Sequence, residues 1–336
     1  MNKTDFYSAN SYIFLPTSKN PKVALVVDNT ALAENAFKLY NPFSQKAKFL
    51  KKINRLVFAN FNVLSKIVWR TTKEEKSAFV SYLEMKLNKS LVSSLYFATI
   101  QDKVVMQLQT LDAEVVGYLK YPLNNLGFQH LENEKKAIEI LSEKNVIEKY
   151  LLHDEFDGKP FLLLTALEGE IGLVEREQID ALLLKFKREK VYKLVDHPRI
   201  EGLKRSIDTN SMSKYLPLIE EICQNSTMQY TLVYEHGDFT PWNIVKVKEN
   251  YIPFDFEYFV ENGLEYFDSI KYYYQIGKLL ENKKDEKLVE FIQEKVDVSE
   301  IKELLALFLI KEILRNKEEN ELFEFEENII KVLELK

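Results

Sequence analysis

Cysteine is nearly absent: Cys223 is the one thiol among 336 residues. A single thiol excludes an internal disulfide framework. With only 4 histidines scattered along the chain, it also excludes a thiolate zinc site. Glycine and proline are scarce at 9 each, which argues against a linker-rich or disordered chain. No stretch approaches 18 uninterrupted apolar residues, so no membrane-spanning helix is expected. The opening segment MNKTDFYSANSYIFLP lacks the apolar run of a secretory signal. Together these absences point to a reducing, cytoplasmic setting.

Excess positive charge is lacking too. The net charge is −6, which gives no footprint for nucleic acid. What the chain has is apolar mass: 46% hydrophobic residues and 12% aromatics, ample for a large core. The length favours two lobes or domains over one. Abundant Lys, Glu and Leu favour helix.

Residues 1–90 read as an extension of short strands and helices. Tyr12–Leu15 and Val23–Val27 have strand character, and Thr30 is a candidate cap for the helix ALAENAFKLY, stopped by Asn41-Pro42. Between Asn41 and Thr72 there is no Asp or Glu. Lys46, Lys48, Lys51, Lys52 and Arg55 surround an apolar stripe of Phe49, Leu50, Ile53, Leu56 and Val57. Residues 46–57 are either a surface for anionic lipid or a phosphorylated partner, or a packed helix with a solvated basic face. A helix is expected over Lys73–Asn88.

From Leu91 to Pro122 the period becomes strand-like. LYFATI, KVVMQLQTL and EVVGYLKYP predict a three-stranded antiparallel meander. A helix over Leu131–Lys144 and strands over Val146–Leu151 and Pro160–Thr165 complete a small lobe, residues 91–167. Residues 168–336 read as a helical lobe. Helices are expected over Glu175–Lys190, Met212–Gln224, Leu264–Glu281, Lys284–Glu294, Ser299–Asn316 and Asn320–Leu335. The exception is a strand–loop–strand unit from Tyr230 to Phe259.

That unit carries the chemistry. An apolar YTLVY runs into His236-Gly237-Asp238; Asn243 follows, then a strand, a turn at Glu249-Asn250, and Asp255-Phe256-Glu257. Phosphoryl transfer needs a hydroxyl held in line, an acceptor for its proton, and cations against the phosphates. An Asp at a loop tip accepts the proton; an Asn and a second Asp offer hard oxygens to Mg²⁺. Asp238 and Asn243 have the four-residue separation of a kinase catalytic loop. Upstream, Lys120 ends the third strand. Glu134 shares a helix face with Ile138 and Leu141, so the two form a candidate pair for nucleotide phosphates. The alternative is that Lys120 is an ordinary surface lysine and Glu132 points inward.

HGDFTPWN followed by PFDFE resembles the aminoglycoside phosphotransferase and choline kinase superfamily of small-molecule kinases, over roughly Leu91 to Asn316. The resemblance implies an α+β, protein-kinase-like two-lobed fold with an antiparallel-sheet small lobe and a helical large lobe. It implies Asp238 as catalytic base, His236 as a brace of the catalytic loop, Asn243 and Asp255 as magnesium ligands, and Asp268 as a helix-start support. The segment PFLLLTALEGE becomes the hinge, with Thr165, Ala166 and Leu167 facing the purine edge, or else a plain strand and turn.

The implied function is transfer of a phosphoryl group from ATP, GTP not being excluded, to a hydroxyl of a small molecule. The acceptor classes are a sugar, amino sugar, aminoglycoside or choline-like amine. Glu257, Glu261 and Glu265 favour a cationic acceptor, or are solvated helix charge. Two departures stand out. The turn ATIQDKV has no glycine, leaving Thr99 or Gln101 as the phosphate contacts. DFE replaces DFG, and no Ala-Pro-Glu follows, against a kinase acting on protein. The competing reading is a kinase-like nucleotide-binding scaffold that works through a partner.

Overall fold

A computed structural model describes residues 3–17, 19–39, 71–98 and 103–333. The basic segment 46–57, the Asn41-Pro42 stop, Thr99 and Gln101 lie outside the described residues. The chain is α+β and divides into two compact units: Met1–Lys135 with Glu148–Ala166, and Lys136–Ile147 with Leu167–Lys336.

The first unit is built on one antiparallel sheet. Its strands are β1 (Ser11–Leu15), β2 (Val23–Val26), β3 (Thr72–Lys73), β4 (Leu91–Ala98), β5 (Lys103–Thr110), β6 (Val115–Pro122), β7 (Leu152–Phe156) and β8 (Lys159–Thr165). Their order is β3-β1-β2-β4-β5-β6-β8-β7. The meander expected from residue 91 forms β4–β6 in continuous register. The described part of residues 1–90 joins the same sheet: β2 pairs with β4 at Val23↔Tyr96 and Ala24↔Leu95.

Helix α1 (Thr30–Ala36) is capped by Asn29, whose Oδ1 accepts from Leu32 N at 2.9 Å, one residue before the expected Thr30. Helix α2 (Ala78–Leu87) buries Phe79, Val80 and Leu83. The Phe79 ring meets Phe6, Tyr121 and Phe161 edge-on at 5.8, 5.3 and 5.2 Å, a geometry aromatic quadrupoles favour. Tyr12 is fully buried because its hydroxyl is satisfied by Ser8 and the Ser93 carbonyl.

Helix α3 (Asn125–Glu143) starts six residues earlier than its apolar periodicity shows. Past its last residue, Asn145 sits in the left-handed region at φ 56°, and Val146 N–H closes back on Leu141 O at 3.0 Å. Residues 146–151 are thus spent on the helix end and connection, and the strand expected there begins at Leu152.

The second unit holds two three-stranded sheets among helices. Its strands are β9 (Glu170–Ile171), β10 (Lys187–Lys193), β11 (Gln229–Glu235), β12 (Ile244–Val247), β13 (Asn250–Pro253) and β14 (Val260–Leu264). The sheets run β10-β11-β14 and β13-β12-β9. Its helices are α4 (Arg176–Leu184), α5 (Pro198–Thr209), α6 (Leu216–Asn225), α7 (Phe267–Gln275), α8 (Asp285–Lys295), α9 (Ile301–Glu318) and α10 (Glu324–Val332). Helix α9 buries every residue from Leu304 to Ile310, as a helix apolar all round must.

Three expectations change here. The helix expected over Glu175–Lys190 stops at Leu184, and KREKVYK forms β10, a charged edge strand on β11. The helix expected from Leu264 starts at Phe267, because Val260–Leu264 pairs with β11 instead. Helix α5 is an addition; Pro198 opens it and the His197 imidazole caps Arg199 N.

Candidate active site

In the first unit, Lys120 sits mid-sheet, opposite Val105 on β5 and Leu162 on β8. Its Nζ lies 2.7 Å from Oε2 and 2.9 Å from Oε1 of Glu134. Both side chains are buried, so this ion pair depends on tight geometry to offset lost hydration. Glu134 shares its helix face with the buried Ile138 and Leu141, whereas Glu132 is half-exposed and reaches Lys135. Thr165 is the last residue of β8, in register with Gly117, and the two units meet in sequence between Ala166 and Leu167.

In the second unit, β11 delivers the chain into His236-Gly237-Asp238. Gly237 adopts φ 80°, and a Cβ there would sit 2.1 Å from the Tyr258 carbonyl, so only glycine fits. Asp268, in the first turn of α7, accepts from His236 N at 2.7 Å and from Gly237 N at 3.0 Å. Burial, reinforced by Glu235, pushes the Asp268 carboxyl up to about 7.

The His236 ring is fully buried. Its Nε2 donates to Phe254 O at 3.0 Å, and its Nδ1 accepts from Asp238 N at 3.3 Å. Burial lowers its pKa, which keeps the ring neutral and consistent with that hydrogen-bond pattern. Its contacts are to the loop and to Phe239 and Phe256.

Asn243 closes the loop. Its Nδ2 donates to Asp238 O at 2.9 Å and to Asp238 Oδ2 at 3.0 Å. Both N–H groups are spent, which leaves its Oδ1 as an acceptor. Phe254 N bonds Asn243 O at 3.0 Å, and Ile244 pairs with Pro253, so the β12–β13 hairpin brings Asp255 beside Asn243. Asp255 itself is held at φ 69°, a backbone state costly for a non-glycine residue and typical of functional sites. A carboxylate oxygen of Asp255 and one of the buried Glu257 lie within 4.8 Å of each other. The carboxylates of Asp255 and Glu257 offer hard oxygens of the kind Mg²⁺ takes. Charge alone points Glu257 toward acceptor recognition; in the fold its neighbour is Asp255.

Asp238 has partners that no local pattern predicts. Arg315 Nη1 lies 2.9 Å and Lys271 Nζ 3.1 Å from the same atom, Oδ1. Burial raises the Asp238 pKa, but Lys271 and Arg315 outweigh it and hold the carboxyl far below the usual carboxylate range. Lys271 also reaches Glu312 at 2.6 Å. Lys311 bridges Glu312 at 3.2 Å and Glu235 at 3.5 Å, and Glu235 is clamped by Arg199 at 2.8 and 3.1 Å. Charges thus alternate in sign from Asp238 through Lys271, Glu312, Lys311 and Glu235 to Arg199, tying the loop to α5, α7 and α9. Lys311 also donates to Gly237 O at 3.2 Å.

Glu261 and Glu265 are committed elsewhere. Glu261 pairs with Lys136 at 2.7 Å; Glu265 pairs with Lys187 at 2.5 Å and accepts from Thr231 N at 2.8 Å. Neither carboxylate offers the unpaired negative charge that a cationic acceptor calls for.

No protein-family model and no curated protein matches the chain. Among solved structures it is similar to a Plasmodium vivax ethanolamine kinase, at 13% identity over 92% of this chain and 94% of that one, with TM-score 0.48. It is also similar to a choline kinase from Cryptosporidium parvum, at 14% identity over 72% and 88%, TM-score 0.45. A third is an aminoglycoside phosphotransferase from Streptomyces rimosus, at 13% identity over 70% and 97%, TM-score 0.46.

Proposed function

We propose that this protein transfers the γ-phosphoryl group of ATP, or of GTP, to a hydroxyl of a small molecule. The observation that carries the reading is the loop itself: Asp238 at its tip, Asn243 bonded to both the backbone and side chain of Asp238, and Asp255 beside Asn243 across a hairpin. In this reading the acceptor hydroxyl donates to Asp238. As its oxygen bonds to phosphorus, the proton passes to the carboxylate, the bond from phosphorus to the nucleoside diphosphate breaks, and the diphosphate leaves. Asn243 and Asp255 hold Mg²⁺, which neutralises phosphate charge when bound. Glu134 orients Lys120 toward the nucleotide phosphates, and the backbone of Thr165, Ala166 and Leu167 takes the base. His236 braces the loop without touching substrate.

Among acceptors, we favour an uncharged sugar-like hydroxyl over a choline-like amine or an aminoglycoside, because Glu261 and Glu265 are already paired. The described strands and helices of residues 1–90 serve in this reading to extend the small lobe. ADP release from Mg·ATP, measured with and without hydroxyl compounds, tests the proposal. Nucleotide binding with no release, for any acceptor or for water, favours the scaffold reading instead.

A further inference from the structure

Asp238 is held more tightly than a proton acceptor requires. A carboxylate offers about four lone-pair directions for hydrogen bonds. Oδ1 takes two of them to cations, Arg315 Nη1 at 2.9 Å and Lys271 Nζ at 3.1 Å. Oδ2 takes the Asn243 amide at 3.0 Å. Among the described residues one direction is left, on Oδ2.

The two cations are themselves fixed. Lys271 is buried at 1% exposure and anchored by Glu312 at 2.6 Å. The Arg315 guanidinium stacks on the Tyr258 ring, 3.8 Å from its centroid, and its Nε donates to Glu319 Oε1 at 3.3 Å. Tyr258 OH in turn donates to Glu319. An arginine held by a ring face and a carboxylate has lost its freedom before it meets Asp238, so little entropy opposes the contact. Lys271 and Arg315 come from different helices, α7 and α9, and converge on one oxygen.

We propose that Lys271 and Arg315 are positioning residues of the phosphotransfer site, and that they confine the acceptor hydroxyl to a single direction on Asp238 Oδ2, beside Asn243. The inference rests on the phosphotransfer reading above and deepens it. Phosphoryl transfer asks little covalent work of the protein and much alignment. With Oδ1 occupied, the carboxylate cannot rotate and cannot offer a second docking site for the hydroxyl. Removing Arg315 frees half of Oδ1, lets the carboxylate turn, and spreads the hydroxyl over several poses. The fraction of complexes ready to react falls, while the nucleotide is bound as before.

The test is ADP release from Mg·ATP with water as the acceptor, at one pH, in the full chain. The variants are Arg315→Met, Arg315→Lys, Lys271→Met and Glu319→Gln, each with a thermal melt. The expected result for Arg315→Met and Lys271→Met is a kcat lower on the order of a hundredfold with KM for ATP unchanged. Arg315→Lys restores part of the loss, which recovery of fold alone does not explain. If the methionine variants fail to fold, Glu319→Gln, which removes the charge that anchors Arg315 and Tyr258 without touching Asp238, is expected to lower kcat several-fold at unchanged KM. Folded variants with wild-type kcat, or with a change confined to KM, overturn the inference and leave phosphotransfer standing. A wild-type protein that releases no ADP, with water or with any of a panel of hydroxyl compounds, overturns both.

Discussion

Asp268 holds the loop ahead of Asp238 by its backbone: one carboxylate oxygen accepts from His236 N and the other from Gly237 N, at 2.7 and 3.0 Å. Both donors are buried, so nothing else in the loop replaces the carboxylate. Asp268→Ala leaves two N–H groups unsatisfied, each costing about 1–3 kcal/mol. We expect a large drop in the denaturant midpoint and loss of ADP release. Asp268→Asn keeps one acceptor and falls between the two. Equal stability of all three proteins in urea unfolding contradicts the role.

The Lys120–Glu134 pair makes a prediction with opposite signs for fold and function. Removing one partner breaks a buried ion pair, so Lys120→Met or Glu134→Leu is expected to cost about 3–5 kcal/mol. The double variant replaces both charges by apolar groups and recovers much of that stability. Nucleotide binding, read by titration calorimetry, stays weak in all three. Recovery of binding along with stability means the pair serves the fold alone.

His197 carries a pH prediction. Burial lowers its pKa from 6.5 to about 4, so the folded state holds it neutral while the unfolded chain protonates it. The unfolded state therefore binds more protons between those values. The stability from His197 is present above about pH 6.5 and is lost as pH falls toward 4. Over pH 6.5 to 5 this loss runs against a gain from Asp268, whose carboxyl, pushed up to about 7, takes a proton earlier in the folded chain than in the unfolded one, so the urea midpoint of His197→Asn is expected to rise relative to that of the wild type as pH falls. Parallel curves for the two proteins rule His197 out as the source.

Much of this site is legible in the sequence because its chemistry is contiguous. His236, Gly237, Asp238 and Asn243 lie within eight residues, and Asp255 follows one hairpin later. Local spacing fixes their geometry. Lys271, Lys311 and Arg315 are different. They come from helices whose relevance to Asp238 depends on how α7 and α9 pack, and a lysine in EYFDSIKYYY looks no different from a surface lysine. The same gap hides β10: KREKVYK is charged and continues a helical run, and only pairing with β11 makes it a strand. Glu257 shows a milder case. Its place in PFDFE is visible, but its nearness to Asp255 depends on a backbone turn at φ 69° that residue types do not announce.

Asp238 bears the central claim, and one comparison tests it most directly. ADP release from Mg·ATP is measured for the wild type and for Asp238→Ala, with water and with a panel of hydroxyl compounds, after both proteins are shown to be folded and to bind nucleotide. The account predicts release by the wild type and a rate lower by about a hundredfold to ten-thousandfold in the variant, at unchanged nucleotide affinity. Equal rates in two folded, nucleotide-bound proteins contradict it.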